Sequence, residues 1–539
     1  MRQQQIHPQR GGRFWYLGLL VLAGILLWLI RPHLAVSRSK TALLNVSASG
    51  LAAHVTATAL TATGTAVPVT VEQGGLWPQT PVAPGTALTV TVRDEGVLGW
   101  SASSQQTVIT PKTPHLVSAA ITVPLNQPVA VTYASAVSEV VIRSPHTSKP
   151  GNNSRRVAIG PSPTRPDQHG ILEVAARARS WETLGPMEKV VWSSVPWVQA
   201  RVNQVSTAHS IPSTAPLTVS FSTPIAQARL AQWQLSPHVP GSWRKVTDKS
   251  YAFTPTGIGF APGTQVSITV PGTSSGLKAA DGSYLPRTAR LTYQVPLGLT
   301  QTMQEWLADL GYLPLTFTPE SSPPSLSTWQ AAYTAPVGTF TWKYANVPAS
   351  LQKLWNPVSW TVVTQGAVMA FEHQHGMAVT ETAGPKFWNA LRVAVQNHDV
   401  YTKPYAYVYV SETLPERLWV YAGGQVILTT LTNTGIPQDL TTIGTFPVDL
   451  RRPFQIMRGH NPNGTAYAVP VHWINYFHGS EAVHGYLRAQ YGFPQSLGCV
   501  EVPIPIAKEI YPHLYVGALV TVAATGSSPI QLVPTANNG

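Results

Sequence analysis

The stretch EAVHGYLRAQYGFPQSLGCVEVP, residues 481–503, contains the only cysteine of the 539-residue chain. A lone cysteine forms no intramolecular disulfide, so Cys499 is either a small buried apolar side chain or a reactive nucleophile. A histidine, His484, lies upstream with 14 residues between the two. The surroundings of Cys499 decide between these alternatives.

The residue types around Cys499 are those that acyl transfer requires. A thiol attacks as its thiolate, and a histidine within hydrogen-bond reach can take the proton. Gly498 permits a tight backbone turn, which can direct N–H groups at a developing oxyanion. The pattern therefore predicts a catalytic thiol whose pKa lies below the ~8.5 of a free cysteine.

Composition points to an extracytoplasmic, mainly β, multidomain chain. Length alone exceeds what one core can organise. Only 11% of residues are charged, while proline (48) and glycine (41) are abundant. The net charge of +12 suits an anionic envelope polymer or lipid. No basic helix, zinc spacing or aromatic RNA-binding motif is present, so a nucleic-acid partner is not expected.

The N-terminus is predicted to be a membrane anchor. Residues 14–30 are 17 apolar residues without a charge, flanked by arginines. We interpret 1–40 as a short cytoplasmic tail and a single membrane helix, with the remainder of the chain outside the cell membrane. The alternative is a cleaved signal, for which Ala35-Val36-Ser37 offers a weak site.

Two related stretches predict two β-sandwiches. APGTALTVTV (83–92) and APGTQVSITV (261–270) each join a Pro-Gly turn to alternating apolar and polar residues. They resemble bacterial Ig-like domains, which we place at 41–140 and 193–295. The polar, Pro-rich stretch 144–170 reads as a loop, so 141–192 is a linker or of uncertain structure.

A helical module is predicted at 296–398. Met303, Trp306, Leu307 and Leu310 fall on one helical face, and Ala367, Val368 and Phe371 mark a second helix. The stretch resembles the peptidoglycan-binding domain family, with Glu372 in place of the usual glutamine; the matching residues are Gln304, Leu307, Leu310, Gly311 and Tyr312 in the first part and Ala367, Val368, Phe371, Gly384 and Trp388 in the second. The resemblance implies wall binding, whereas the residues alone require only a helical core.

From about 402 the sequence returns to β alternation and resembles the YkuD family of L,D-transpeptidase catalytic domains. The family signature is His-Gly, then 14–17 residues, then Ser/Thr-His-Gly-Cys and, two residues after the cysteine, Asn or Arg. Here His484-Gly485 precedes Ser496-Leu497-Gly498-Cys499. Two positions depart from it, because Leu497 replaces the usual histidine and Glu501 the usual Arg or Asn. The resemblance covers about 402–525, followed by a tail at 526–539.

The resemblance implies a cysteine acyltransferase acting on peptidoglycan stem peptides, donor and acceptor, without metal or cofactor. Cys499 would be the nucleophile and His484 the base, with the Gly485 carbonyl as third element. Backbone N–H groups around Leu497, Gly498 and Cys499 would form the oxyanion hole, and Ser496 belongs to the same catalytic motif. The candidates for substrate contact are Leu497, Glu501, Tyr476 and His478.

Three alternatives accompany this interpretation. The same acyl-enzyme could be resolved by water, which would make the protein a hydrolase that trims stems. The domain could also be an inactive wall-binding scaffold. A zinc site at His472, His478 and His484, which recur every six residues, is conceivable but lacks the usual ligand spacing.

Overall fold

The computed structural model describes residues 14–51, 53–203 and 215–525, and most of its elements are strands. The chain divides into two compact units. The first takes the described residues up to Val198 together with Leu277–Pro286; the second takes those of 199–276 and those from Arg287 onward. The mainly β, multidomain class predicted from the sequence is confirmed. The predicted tail 526–539 lies outside the described residues, as do 1–13 and 204–214.

The strands follow one another in chain order and are named accordingly. They are β1 (His33–Arg38), β2 (Leu44–Ser49), β3 (His54–Thr61), β4 (Ala66–Val67), β5 (Val69–Glu72), β6 (Gly75–Pro78), β7 (Ala87–Glu95), β8 (Ser101–Ile109), β9 (Ala120–Val123), β10 (Ala130–Ile142), β11 (Thr147–Ala158), β12 (His169–Arg177), β13 (Glu188–Ser194), β14 (Ala200–Asn203), β15 (Leu217–Phe221), β16 (Ile225–Ala228), β17 (Gln234–Ser236), β18 (Gly241–Thr247), β19 (Ser250–Pro255), β20 (Gln265–Val270), β21 (Leu277–Ala279), β22 (Ala289–Gln294), β23 (Leu315–Pro319), β24 (Gly338–Trp342), β25 (Ala406–Ser411), β26 (Arg417–Ala422), β27 (Gln425–Leu431), β28 (Gly444–Pro447), β29 (Leu450–His460), β30 (Ala466–His478), β31 (Glu481–Gly485), β32 (Val500–Val502) and β33 (Leu519–Ala523). The α-helices are α1 (Phe14–Ile30), α2 (Thr273–Gly276), α3 (Thr300–Asp309), α4 (Ala349–Gln352), α5 (Val362–Gln374), α6 (Pro385–Asn397) and α7 (Ile504–Ile510). Short 3₁₀ helices lie at Val97–Gly99, Leu230–Gln232 and Ala331–Tyr333.

The N-terminal apolar run forms helix α1, which has 17 residues. At 1.5 Å per residue it extends about 26 Å, less than the roughly 30 Å of a bilayer's hydrocarbon core. Within the described ranges, no helix combines the length and the apolar character that a membrane crossing requires. The membrane anchor stays a prediction.

The first unit contains two four-stranded sheets and one five-stranded sheet. Their strand orders are β1-β2-β6-β5, β4-β3-β7-β8 and β11-β10-β12-β13-β9. The two four-stranded sheets contribute to one apolar cluster, and the five-stranded sheet has a cluster of its own. The assignment of Ig-like domains stays a prediction.

The interpretation of 144–170 as a loop or linker is wrong. Twelve of its residues form β11, which pairs antiparallel with β10 at the edge of the five-stranded sheet. Its side chains are almost all exposed, with only Gly151 and Val157 buried. Because an edge strand borders solvent, it can be polar and can accept a proline, and such a composition imitates a linker.

The repeated Pro-Gly stretches form the same turn-to-strand transition. Gly85 and Gly263 have φ of +73° and +76°, a conformation that glycine adopts without steric cost. The strands that follow, β7 and β20, bury alternate residues as the period-two pattern predicts. In the second unit, β20 belongs to a sheet ordered β17-β20-β22, beside one ordered β14-β15-β19-β18.

The helical stretch is confirmed as helices α3 to α6, interrupted by the hairpin β23–β24. Met303, Trp306, Leu307 and Leu310 are all buried, as the helical spacing predicts. Gly311, with φ of +81°, follows the end of α3. Whether this module binds wall polymer stays a prediction.

The C-terminal part consists of two sheets and helix α7. The first is ordered β27-β26-β25-β33-β28 and the second β29-β30-β31-β32. The predicted hairpin across the Gly-Gly turn is confirmed as β26–β27, with Gly423 and Gly424 both at positive φ. In the second sheet β31 and β32 run parallel, which the connection through residues 486–499 makes possible.

One apolar core joins the helical stretch to the C-terminal sheets. Phe371 of α5 and Leu519 of β33 belong to the same cluster of buried residues. The two backbones approach so closely that a Cβ on Gly366 would lie 2.4 Å from the Gly517 oxygen. The helical stretch therefore packs directly on the catalytic sheets, and the domain boundaries given by the sequence stay a prediction.

Candidate active site

The pairing of β31 with β32 brings His484 and Cys499 to the same face of a sheet. His484 is directly opposite Glu501, and Cys499 precedes the first paired residue of β32. Side chains at alternate positions of a strand share a face, so Cys499 and Glu501 project to the side on which His484 lies. Both His484 and Cys499 are buried, with 3% and 9% of their surface exposed.

These side chains line a cavity of about 290 Å³. Its lining includes four of the predicted site residues: His484, Leu497, Cys499 and Glu501. Further lining residues come from the β29–β30 hairpin and from the two loops beside β32, namely Ile436, Met457, Asn461, Pro462, Tyr467, Val469, Val471, Tyr486, Arg488 and Gln495. The two residues that the sequence pairs for catalysis thus open onto one space.

The loop before Cys499 is fixed by buried hydrogen bonds. Ser496 Oγ donates to the Cys499 carbonyl at 2.5 Å, and the Ser496 N–H donates to the Thr434 carbonyl at 3.0 Å. Gly498 has φ of +87°, where a side chain would be strained although space is available. The N–H groups of Leu497 and Gly498 have no hydrogen-bond partner among the described residues. Both can therefore face an oxyanion.

Gly485 is required for close packing. A Cβ at this position would lie 2.9 Å from the Ala507 Cβ and 3.0 Å from the Ile504 Cα. The glycine therefore allows helix α7 to lie against β31, beside the His484 backbone. The Gly485 backbone, which is the predicted third element, favours the charged form of the His484 ring.

Two predicted substrate-contact residues lie elsewhere. Tyr476 packs in the apolar cluster that contains Cys499, but its hydroxyl donates to Gln455 Oε1 at 3.2 Å and the residue does not line the cavity. His478 is exposed and contacts the Phe446 ring at a centroid distance of 4.4 Å. Neither side chain lines the cavity, and their contact with substrate stays a prediction.

The histidines of β30 and β31 do not keep the common parity that their spacing suggested. The ladder between β30 and β31 is irregular between His472 and Asn475 and again between Tyr476 and His478. Irregular pairing of this kind changes which face a side chain takes. Among the described residues, no group of three or more His, Cys, Asp or Glu side chains is arranged to hold a metal.

The electrostatics of the thiol are opposite to the prediction. Burial, together with the repulsion of a thiolate by the nearby carboxylates of Glu501, Glu481 and Asp439, raises the pKa of Cys499 to about 12. A hydrogen bond with the Ala482 backbone opposes this rise. Cys499 therefore rests as a thiol.

The histidine rests uncharged. Burial lowers the pKa of His484 to about 4, although Glu501 and the Gly485 backbone favour the charged ring. Its Nδ1 is buried and has no hydrogen-bond partner among the described residues. A neutral ring that lines the same cavity as a neutral thiol can accept its proton, so the pair suits general-base activation of the nucleophile.

Sequence reasoning missed Arg488. Its Nε and Nη2 donate to Glu501 Oε2 and Oε1, both at 2.8 Å, in a bidentate ion pair. Nη2 also donates to the Gln495 carbonyl at 2.9 Å. Glu501 is therefore not a bare charge beside the nucleophile. The sequence feature that could have identified Arg488 is that it is the one arginine in the loop between His484 and Cys499.

Comparisons with known proteins point to one family. The model of the YkuD family, described as an L,D-transpeptidase catalytic domain, matches residues 405–522. A search of curated proteins gave no match.

Similar solved structures include three L,D-transpeptidases. The catalytic domain from E. faecium is 26% identical, over 22% of this chain and 96% of that chain, with a TM-score of 0.21. The enzyme from Mycobacterium smegmatis is 13% identical, over 60% of this chain and 100% of that chain, also at 0.21. The L,D-transpeptidase from Stackebrandtia nassauensis is 19% identical, over 33% of this chain and 88% of that chain, with a TM-score of 0.19. With the family match, residues 405–522 of this chain are an L,D-transpeptidase catalytic domain of the YkuD family.

Proposed function

We propose that this domain cross-links peptidoglycan stem peptides in the cell wall space through an acyl-enzyme on Cys499. The observation that supports it most directly is that His484 and Cys499 share one face of the β31–β32 pair and line one cavity. The family match supports peptidoglycan stem peptides as the substrate class, and the donor that we propose is a tetrapeptide stem that ends in D-alanine.

In the first half-reaction the Cys499 sulfur attacks the carbonyl carbon of the third stem residue. As the S–C bond forms, the thiol proton passes to the neutral His484 ring, and negative charge develops on the carbonyl oxygen. The Leu497 and Gly498 N–H groups stabilise that oxygen. Collapse of the tetrahedral intermediate breaks the C–N bond, and His484 returns the proton to the departing nitrogen. D-alanine is released, and the acyl group remains on Cys499 as a thioester.

In the second half-reaction an amine of the acceptor stem attacks the thioester. His484 takes the amine proton, and the tetrahedral intermediate expels the sulfur, which recovers that proton. Water in place of the amine would give a trimmed stem instead of a cross-link. Only the products distinguish these two outcomes, because both use the same residues.

The test is product analysis of the purified protein with disaccharide tetrapeptides. We expect released D-alanine and cross-linked dimers by mass spectrometry. Cys499→Ala should abolish both, and His484→Ala should lower the rate by roughly 10²–10⁴. His478→Ala is the matched control, since that histidine is exposed and outside the cavity.

Trimmed stems without dimers would establish hydrolysis. Turnover by Cys499→Ala, or no turnover by the native protein, would refute the proposal and favour a scaffold.

A further inference from the structure

An ion pair between Arg488 and Glu501 lies in the wall of the catalytic cavity. The Glu501 side chain is 6% exposed and the Arg488 side chain 29% exposed. A buried carboxylate with a bidentate guanidinium partner is held in one geometry, because breaking the pair would leave a charge without compensation. Arg488 is further fixed by the Gln495 carbonyl and by the Tyr486 ring, 4.8 Å from its Cζ.

One edge of this guanidinium remains available. Nε and Nη2 are engaged, whereas Nη1 makes no hydrogen bond with any described residue. Among the described residues that line the cavity, Arg488 is the one with a permanent positive charge. Glu501 is two residues from Cys499 on the same strand face, which corresponds to roughly 7 Å along the chain.

Such a guanidinium has a well-defined chemical preference. Its Nη1 still offers two N–H groups, and guanidinium N–H groups form their strongest hydrogen bonds with anionic oxygens such as those of a carboxylate. A stem peptide presents carboxylates within one or two residues of the bond that Cys499 would attack.

We propose that Arg488 binds a carboxylate of the donor stem peptide, with Glu501 as the residue that positions its guanidinium. This inference rests on the proposed function of the site. The carboxylate has three possible sources in a tetrapeptide stem: the terminal D-alanine, the diamino acid and the γ-linked glutamate. All three groups are carboxylates that a guanidinium would bind in the same way, so the experiment below is designed to distinguish them.

The first measurement is binding, which needs no turnover. The full chain carrying Cys499→Ala is titrated calorimetrically with L-alanyl-γ-D-glutamyl-meso-diaminopimelyl-D-alanine. Three derivatives, each with one carboxylate converted to a carboxamide, are titrated in parallel. We expect one derivative to bind about 10- to 100-fold more weakly than the parent, the range for losing a charge-assisted contact.

The matched variant is Arg488→Gln combined with Glu501→Gln. It removes the guanidinium without leaving a buried unpaired charge, so a folding defect does not confuse the result. The double variant should bind the parent peptide and the weakly bound carboxamide derivative with the same affinity. Arg143→Gln with Glu173→Gln alters an exposed Arg–Glu pair of the first unit and should change nothing.

The second measurement is the kinetics of D-alanine release with Cys499 restored. The Arg488→Gln/Glu501→Gln variant should raise KM for the parent about tenfold or more with a smaller change in kcat. Arg488→Lys should recover part of that loss, because it retains the charge. A purely structural role would instead lower kcat equally for the parent and the amidated donors.

Equal binding of all four peptides, absence of binding, or discrimination that survives in the double variant would overturn the inference. Discrimination that depends on Arg488, without D-alanine release by the native protein, would uphold the inference and refute the transpeptidase proposal.

Discussion

The Cys499 side chain shows how enclosure changes a thiol. A sequence that places a histidine and a cysteine in one domain suggests an ion pair of imidazolium and thiolate. Here both side chains are buried and three carboxylates lie near the sulfur, so the neutral forms are favoured. The histidine can then act only as a base during attack, and the substrate must supply the geometry that drives proton transfer.

Alkylation of Cys499 tests this protonation state. Because the thiol pKa is raised to about 12, the thiolate fraction at pH 7 is far below that of a free cysteine. We expect the native protein to react with iodoacetamide at least roughly tenfold more slowly than N-acetylcysteine at pH 7, with the rate still rising above pH 9.

Glu501→Gln is the informative variant for this measurement. It removes a carboxylate beside the thiol and leaves the Arg488 charge uncompensated, and both changes favour the thiolate. Alkylation should therefore accelerate. A native rate at pH 7 equal to that of the free thiol would show that the pair rests as thiolate and imidazolium.

At the scale of elements, the site depends on a short parallel pairing and one loop. The register of the three paired residues of β32 fixes the position of Cys499 along the sheet relative to His484. The loop that leads there is attached to residues 433–435 by backbone hydrogen bonds, and Ser496 closes it on the Cys499 carbonyl. The loop thus carries the nucleophile as a fixed rather than a mobile group.

Ser496→Ala should loosen this loop. The lost hydroxyl leaves the buried Cys499 carbonyl without its 2.5 Å partner, at a cost of about 1 kcal/mol in the free energy of unfolding. D-alanine release should fall roughly tenfold through misplacement of the sulfur. Ser118→Ala, which removes an exposed hydroxyl–carbonyl bond of 2.7 Å, is the control. Unchanged turnover in Ser496→Ala would mean that the loop is held by other contacts.

At the scale of the whole molecule, the second unit combines a helical layer and the catalytic sheets. Tyr312 stacks on Tyr401 with ring centroids 4.5 Å apart, and Tyr401 contacts Tyr515 at 5.7 Å. Together with the contact between Gly366 and Gly517, these rings make the helical stretch part of the catalytic domain's support. Its removal would expose the apolar side of β33.

Gly517→Ala tests that support. Its φ of +95° strains any side chain, and a Cβ would lie 2.1 Å from the Gly366 oxygen, so helix α5 would have to move. We expect a loss of about 2–5 kcal/mol in the free energy of unfolding. Gly384→Ala is the control because its Cβ meets nothing within 4 Å. Equal unfolding transitions of the two variants by circular dichroism would contradict the shared core.

The local patterns of the sequence determined the element types and the chemical pair. Alternation predicted the strands β7, β20, β26 and β27, and helical spacing predicted the buried face of α3, because these periodicities belong to the backbone itself. The spacing of His484 and Cys499 identified the candidate active site, and its residue types were sufficient to indicate acyl transfer.

Only the tertiary structure decided what depends on neighbours distant in the chain. It placed β11 at a sheet edge, turned His478 away from the cavity and joined the helical stretch to the catalytic sheets. It also paired Glu501 with Arg488 and buried the thiol among carboxylates. Burial and pairing between distant residues fix pKa values and side-chain direction, and no local pattern encodes them.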